Sequence, residues 1–140
     1  IDNFEFKSYE TSLDVKDFDT SFVKGLSFED GCATLTKFTA YLIADGLSKI
    51  NKQNDINPRH CIFCGGGRKN KSLMQSIENY LVNKNIIIND IDDYNFDGNF
   101  IESQAFAYLA IRSYLKLPIS FPNTTRCKKA ISGGDILQNF

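Results

Sequence analysis

His60-Cys61-Ile62-Phe63-Cys64-Gly65-Gly66-Gly67-Arg68-Lys69-Asn70-Lys71-Ser72 is the stretch whose reading decides the fold. The short apolar run follows Pro58 and is closed by three glycines, and its length and flanks predict a strand buried on both faces. The glycines form a tight loop. Asn70 is placed to cap a helix whose inward face is Leu73, Ile77, Tyr80 and Leu81, ending near Asn83–Asn85. Ile86-Ile87-Ile88 then predicts a second short buried strand.

Upstream, Ser27-Phe28-Glu29-Asp30 reads as a helix start, with the serine oxygen taking an unpaired N–H and the acid in the first turn. Leu35, Phe38, Leu42, Ile43, Leu47 and Ile50 continue one helical face to about Asn51. Downstream, Asp90, Asp92, Asp93 and Asp97 fall in an acidic loop, with Asp97-Gly98 as a turn; its alternatives are a cation site and a solvated loop, and since the spacing is not an EF-hand it is read as solvated. Phe100 to about Lys116 predicts a third helix that buries Ile101, Tyr108, Leu109, Ile111 and Leu115, and Pro118 stops it. The tail reads as mostly irregular. The order helix-strand-helix-strand-helix is an α/β layer pattern with parallel strands. Two strands make a poor sheet, so the remaining strands are expected before Ser27. Residues 1–26 are read as a connector or a remnant of those strands, and the chain as a piece of something longer.

The 140 residues, 42% hydrophobic, suffice for one core. Sixteen Lys+Arg against 17 Asp+Glu leave a net charge of −1 and no basic excess to neutralise phosphates, which argues against nucleic acid as a partner. No apolar run approaches the roughly 20 residues of a membrane helix. The first ten residues carry three acids and no apolar segment, so no export signal is read. A cytoplasmic protein with reduced thiols at Cys32, Cys61, Cys64 and Cys127 is expected. His60, Cys61 and Cys64 are half a zinc site, and the other two cysteines are not a pair. No metal is assigned, and a metal or redox module remains the lesser alternative.

Three glycines after a strand remove every Cβ at the mouth of the sheet. A flat ligand or a phosphate then lies against bare main chain near a helix N-terminus. The alternative is a tight turn needing positive φ. Neither the P-loop spacing nor G-x-G-x-x-G is present. Arg68 and Lys69 have two readings, a reach to the phosphates of a bound ligand and plain solvation, and solvation is preferred.

Three segments carry a resemblance. Residues 27–40 (SFEDGCATLTKFTA), 64–70 (CGGGRKN) and 98–110 (GNFIESQAFAYLA) resemble the C-terminal part of the anhydro-N-acetylmuramic acid kinase family. The likeness covers roughly residues 12–135. It extends to Leu117-Pro118 and Pro122-Asn123-Thr124-Thr125, after which the family continues Thr-Gly-Ala whereas this chain reads Thr125-Arg126-Cys127. The resemblance implies an incomplete lobe of the actin-like ATPase (ribonuclease H-like) fold, with residues 27–140 as the C-terminal half of the kinase second lobe. It also implies ATP and Mg²⁺, an anhydro amino sugar as substrate, and the missing N-terminal part of the kinase as partner. The family reaction opens the 1,6-anhydro bond and transfers the γ-phosphoryl group, in cell-wall recycling.

By resemblance, Gly65, Gly66 and Gly67 contact the adenosine of ATP. Asn70 matches the family asparagine and is either a ligand contact, a helix cap, or both. Glu102 matches an acid that hydrogen-bonds the amino sugar; its alternative is a first-turn acid favoured by the helix dipole. Ala105, Phe106 and Ala107 are read as packing. The family's Asp-Gly-Thr phosphate motif and the Asp-x-Gly-Pro-Gly-Asn motif with the catalytic aspartate do not occur in this sequence. The chain alone is therefore expected to have no turnover, either as part of a kinase or as a non-catalytic remnant.

Overall fold

The structure is a computed structural model that describes residues 15–53 and 59–137. These residues fall into two compact units that meet in sequence between Asn99 and Phe100. Most of the 1–26 leader, residues 1–14, lies outside the described residues; the rest carries two short 3-10 turns, Val15–Asp17 and Ser21–Val23.

The first unit holds α1 (Phe28–Gln53), β1 (Arg59–Phe63), α2 (Lys71–Leu81) and β2 (Ile86–Asp90). α1 starts as its sequence predicts. The Asp30 amide donates to Ser27 Oγ at 3.1 Å, and the Ser27 hydroxyl donates to the Asp30 carboxylate at 2.9 Å. The two strands are parallel, with Arg59 opposite Ile86 and Phe63 opposite Asp90. The core consists of Ala40 and Ala44 of α1 with Ile77 and Leu81 of α2, and Phe63, Ile86, Ile88, Ile43, Leu47, Leu73 and Met74 pack around it. Two alanines one turn apart let α2 come close to α1. Periodicity picks out the larger apolar residues of α1 and passes over them. Tyr80, read as inward, is exposed and meets Tyr41 edge-on at 5.8 Å.

The expectation of strands buried on both faces is corrected. Burial alternates: Cys61, Phe63, Ile86 and Ile88 are half-buried, whereas His60, Ile62 and Ile87 are exposed. Ile62 is 49% and Ile87 42% exposed. A short apolar run reads alike whether one face or two are covered. After α2 the chain turns through Asn83 and Asn85, both at positive φ, a conformation asparagine tolerates.

The second unit holds α3 (Ile101–Tyr114) and the one-turn helix α4 (Pro122–Thr125). α3 ends before Pro118 acts. Lys116 adopts φ +55°, its amide donates to the Ser113 carbonyl at 2.9 Å, and the Leu117 amide donates to the Arg112 carbonyl at 2.8 Å. That pair of bonds is a Schellman motif with lysine where glycine is usual. The tail is more ordered than its composition suggests: Ser120 and Ile131 form an antiparallel bridge. Arg112 donates to the Pro118 carbonyl at 2.7 Å and lies over the Tyr108 and Phe121 rings. Ser113 donates to the Gly133 carbonyl. Within this unit Ala105, Phe106 and Ala107 are exposed, Phe106 by 64%. Tyr108, Ile111 and Leu115 are exposed as well, leaving Ile101 and Leu109 half-buried. The tail packs along the Arg112–Ser113 side of α3, and helical spacing does not say which side that is. Among the described residues no helix is long and apolar enough to cross a membrane.

Candidate functional site

The glycines leave the carboxyl end of β1. Gly65 adopts φ +81°, and Gly66 opens a 3-10 turn that runs to Lys69. A β-carbon at Gly65 or Gly66 would meet nothing within 4 Å, and at Gly67 only an ordinary contact with Leu73 at 3.8 Å. Positive φ explains the glycine at 65. Neither backbone conformation nor a neighbouring side chain explains the other two. What they provide is uncovered main chain at a strand end.

Asn70 caps α2: its Oδ1 accepts from the Leu73 amide at 3.1 Å. The capping role is therefore occupied, and Asn70 is exposed. Glu102 lies in the first turn of α3, exposed, in the second unit.

Arg68 overturns its solvated reading. Its side chain is 3% exposed. Nε donates to Asp90 Oδ1 at 3.1 Å, Nη2 to Asp92 Oδ2 at 2.6 Å and Nη1 to the Gly65 carbonyl at 2.9 Å. The other Asp92 oxygen accepts from the Gly98 amide at 2.7 Å, and the Gly98 carbonyl accepts from the Gly65 amide at 3.0 Å. A closed circuit results, running Gly65, Arg68, Asp92, Gly98 and back to Gly65. The Arg68 hydrogen bond, seconded by the Gly98 amide, holds the Asp92 carboxyl below its ordinary range; Asp92 in turn raises Arg68. Part of the loop read as solvated acid thus binds a cation, and the cation is an arginine of the same chain. Sequence reading missed this because Arg68 and its acids stand 22 and 24 residues apart. The one local signal was Gly98, where a β-carbon would stand 2.6 Å from the guanidinium carbon and from Ile91 Cγ2.

All four cysteines are free, and Cys64 is exposed beside the loop. Burial pushes the Cys61 thiol up, opposed by the Arg59 charge, so it is a poor thiolate. Among the described residues no three His, Cys, Asp or Glu side chains converge as a metal site.

The first unit is a parallel α/β unit whose strand β1 ends in bare main chain, and in open α/β sheets the carboxyl ends of the strands are where ligands are usually received. Comparison with known proteins narrows this: the family model described as anhydro-N-acetylmuramic acid kinase matches residues 3–139, and the chain belongs to that family. It is 55% identical over 142 residues to the anhydro-N-acetylmuramic acid kinase of Pelagibacter ubique, covering 100% of this chain and 38% of the relative. The Zymomonas mobilis kinase of the same name is 40% identical over 125 residues, covering 89% of this chain and 32% of the relative. Anhydro-N-acetylmuramic acid kinase 2 of a Jannaschia species is 36% identical over 130 residues, covering 93% and 32%. The chain spans about a third of the length of these curated relatives.

Proposed function

We propose that this chain is the C-terminal part of an ATP-dependent anhydro-N-acetylmuramic acid kinase, a cytoplasmic enzyme of cell-wall recycling. In this reading residues 27–140 form the C-terminal half of the second lobe of an actin-like fold. Gly65, Gly66 and Gly67 lie against the adenosine of ATP, Asn70 caps α2 and turns its amide to the nucleotide, and Glu102 accepts a hydrogen bond from the anhydro sugar. Mg²⁺ accompanies ATP and takes no ligands from the described residues of this chain. Phosphoryl transfer also needs a phosphate loop and a base for the attacking water. The family motifs that supply them do not occur in this sequence, so the chain alone turns nothing over.

One observation carries the nucleotide part. Gly66 and Gly67 are glycines that neither positive φ nor a tight neighbour requires, and a ligand approaching the main chain would require both. Titrating the chain with adenosine and with Mg·ATP tests it. Gly66→Val has room for its side chain in the free protein and is expected to keep the fold while abolishing binding. Unaltered nucleotide binding by Gly66→Val would remove the proposal's support. Incubation with ATP and the anhydro sugar is expected to yield no phosphorylated sugar, and product formation would refute the incompleteness.

A further inference from the structure

We propose that Arg68 is a positioning residue for nucleoside binding, fixing the bare main chain of Gly65–Gly67 by tying the Gly65 carbonyl to Asp90 and Asp92. The proposal rests on the nucleotide reading above and adds to it the group that makes the loop usable. Three consecutive glycines have more conformational freedom to lose than any other tripeptide. A loop that must be ordered at each binding event binds weakly, and preorganisation removes that cost. Here the order is supplied in advance. The guanidinium fork reaches three acceptors on two segments, Gly65 before the turn, and Asp90 and Asp92 at and just past the end of β2. Asp92 passes the constraint to Gly98, which returns it to the Gly65 amide. Both backbone polar groups of Gly65 are thereby held. The same geometry says what Arg68 does not do. Its side chain is 3% exposed, each of its three nitrogens donates to a protein acceptor and its charge is matched by two carboxylates, so it does not reach for phosphate. The arginine acts on the uncharged nucleoside through the main chain.

Arg68→Lys tests this. A lysine keeps the charge but lacks the planar fork that spans three acceptors. Adenosine and Mg·ATP affinities are expected to fall by the same factor, roughly tenfold, with helix content by circular dichroism unchanged. Native affinity for both would overturn the proposal. A loss confined to ATP would overturn it too, in favour of a direct phosphate contact. A ligand-free readout separates its failure from that of the nucleotide reading: ¹⁵N relaxation is expected to show Gly65, Gly66 and Gly67 loosened in Arg68→Lys while the α2 amides stay rigid. Unchanged glycine order refutes the bracing itself. A native chain that binds neither ligand refutes the nucleotide reading, and with it the binding role of Arg68. Asp92→Asn, which keeps an acceptor oxygen, is the gentler variant if Arg68→Lys unfolds, and the same outcomes apply to it.

Discussion

Arg68 lies across Gly98 so closely that a β-carbon there would stand 2.6 Å from the guanidinium carbon. Ile91 Cγ2 would stand at the same distance, and Gly98 is buried. Gly98→Ala must therefore push aside a side chain held by two carboxylates. It is expected to destabilise the first unit by about 1–3 kcal/mol, the usual cost of overpacking a tight site. Urea unfolding followed by circular dichroism measures it, and a native midpoint for Gly98→Ala would mean the circuit yields freely.

Asp92 gives the circuit a pH dependence of known sign. Its carboxyl is held below the ordinary range, first by Arg68 and then by the Gly98 amide. The stabilisation is present above the unfolded carboxylate value near ~3.9 and is lost as pH falls through the lower folded value. Native protein and Asp92→Asn are expected to differ in urea midpoint at neutral pH and to converge at the acid end. A difference that grows on acidification would contradict the assignment. Arg68 stays charged throughout this range.

Asn70 separates two roles by substitution. Asn70→Ala removes the acceptor for the Leu73 amide and is expected to cost about 1 kcal/mol. Asn70→Asp keeps a good cap and the stability. If the side-chain amide also meets nucleotide, Asn70→Asp loses affinity in the adenosine titration while its thermal midpoint stays native.

Lys116 holds the left-handed position of the Schellman motif that ends α3. A lysine there carries a Cβ penalty that glycine does not. Lys116→Gly is expected to stabilise the second unit by about 0.5–1 kcal/mol, net of the greater freedom glycine has when unfolded. A raised thermal midpoint checks it.

The element order was legible in the sequence, because it rests on local signals: the Ser27 start, the Asn70 cap, two apolar runs and the helical spacing between them. The glycine loop was legible too, since three glycines in a row have few structural uses. What escaped were relations between distant segments. Nothing near Arg68 announces acids 22 and 24 residues away, so solvent was the default partner for an arginine in a loop. Ala40 and Ala44 carry too little hydrophobicity to stand out, yet they set how closely α2 approaches. The covered face of β1 and β2 and the inward side of α3 depend on what packs against them, which no window of sequence contains. Glu102 and the ligand role of Asn70 were singled out by resemblance; the structure bears out the Asn70 cap read from the sequence and has Glu102 as an exposed first-turn acid.

The circuit also bears on how this loop can be changed. Arg68 cannot be exchanged for an apolar residue by itself, because Asp90 and Asp92 would then face each other without a counter-charge, and Gly98 cannot gain a side chain while the arginine stays. A change at any of these four positions is coupled to the other three, so a redesign of this loop keeps the set whole or replaces it whole.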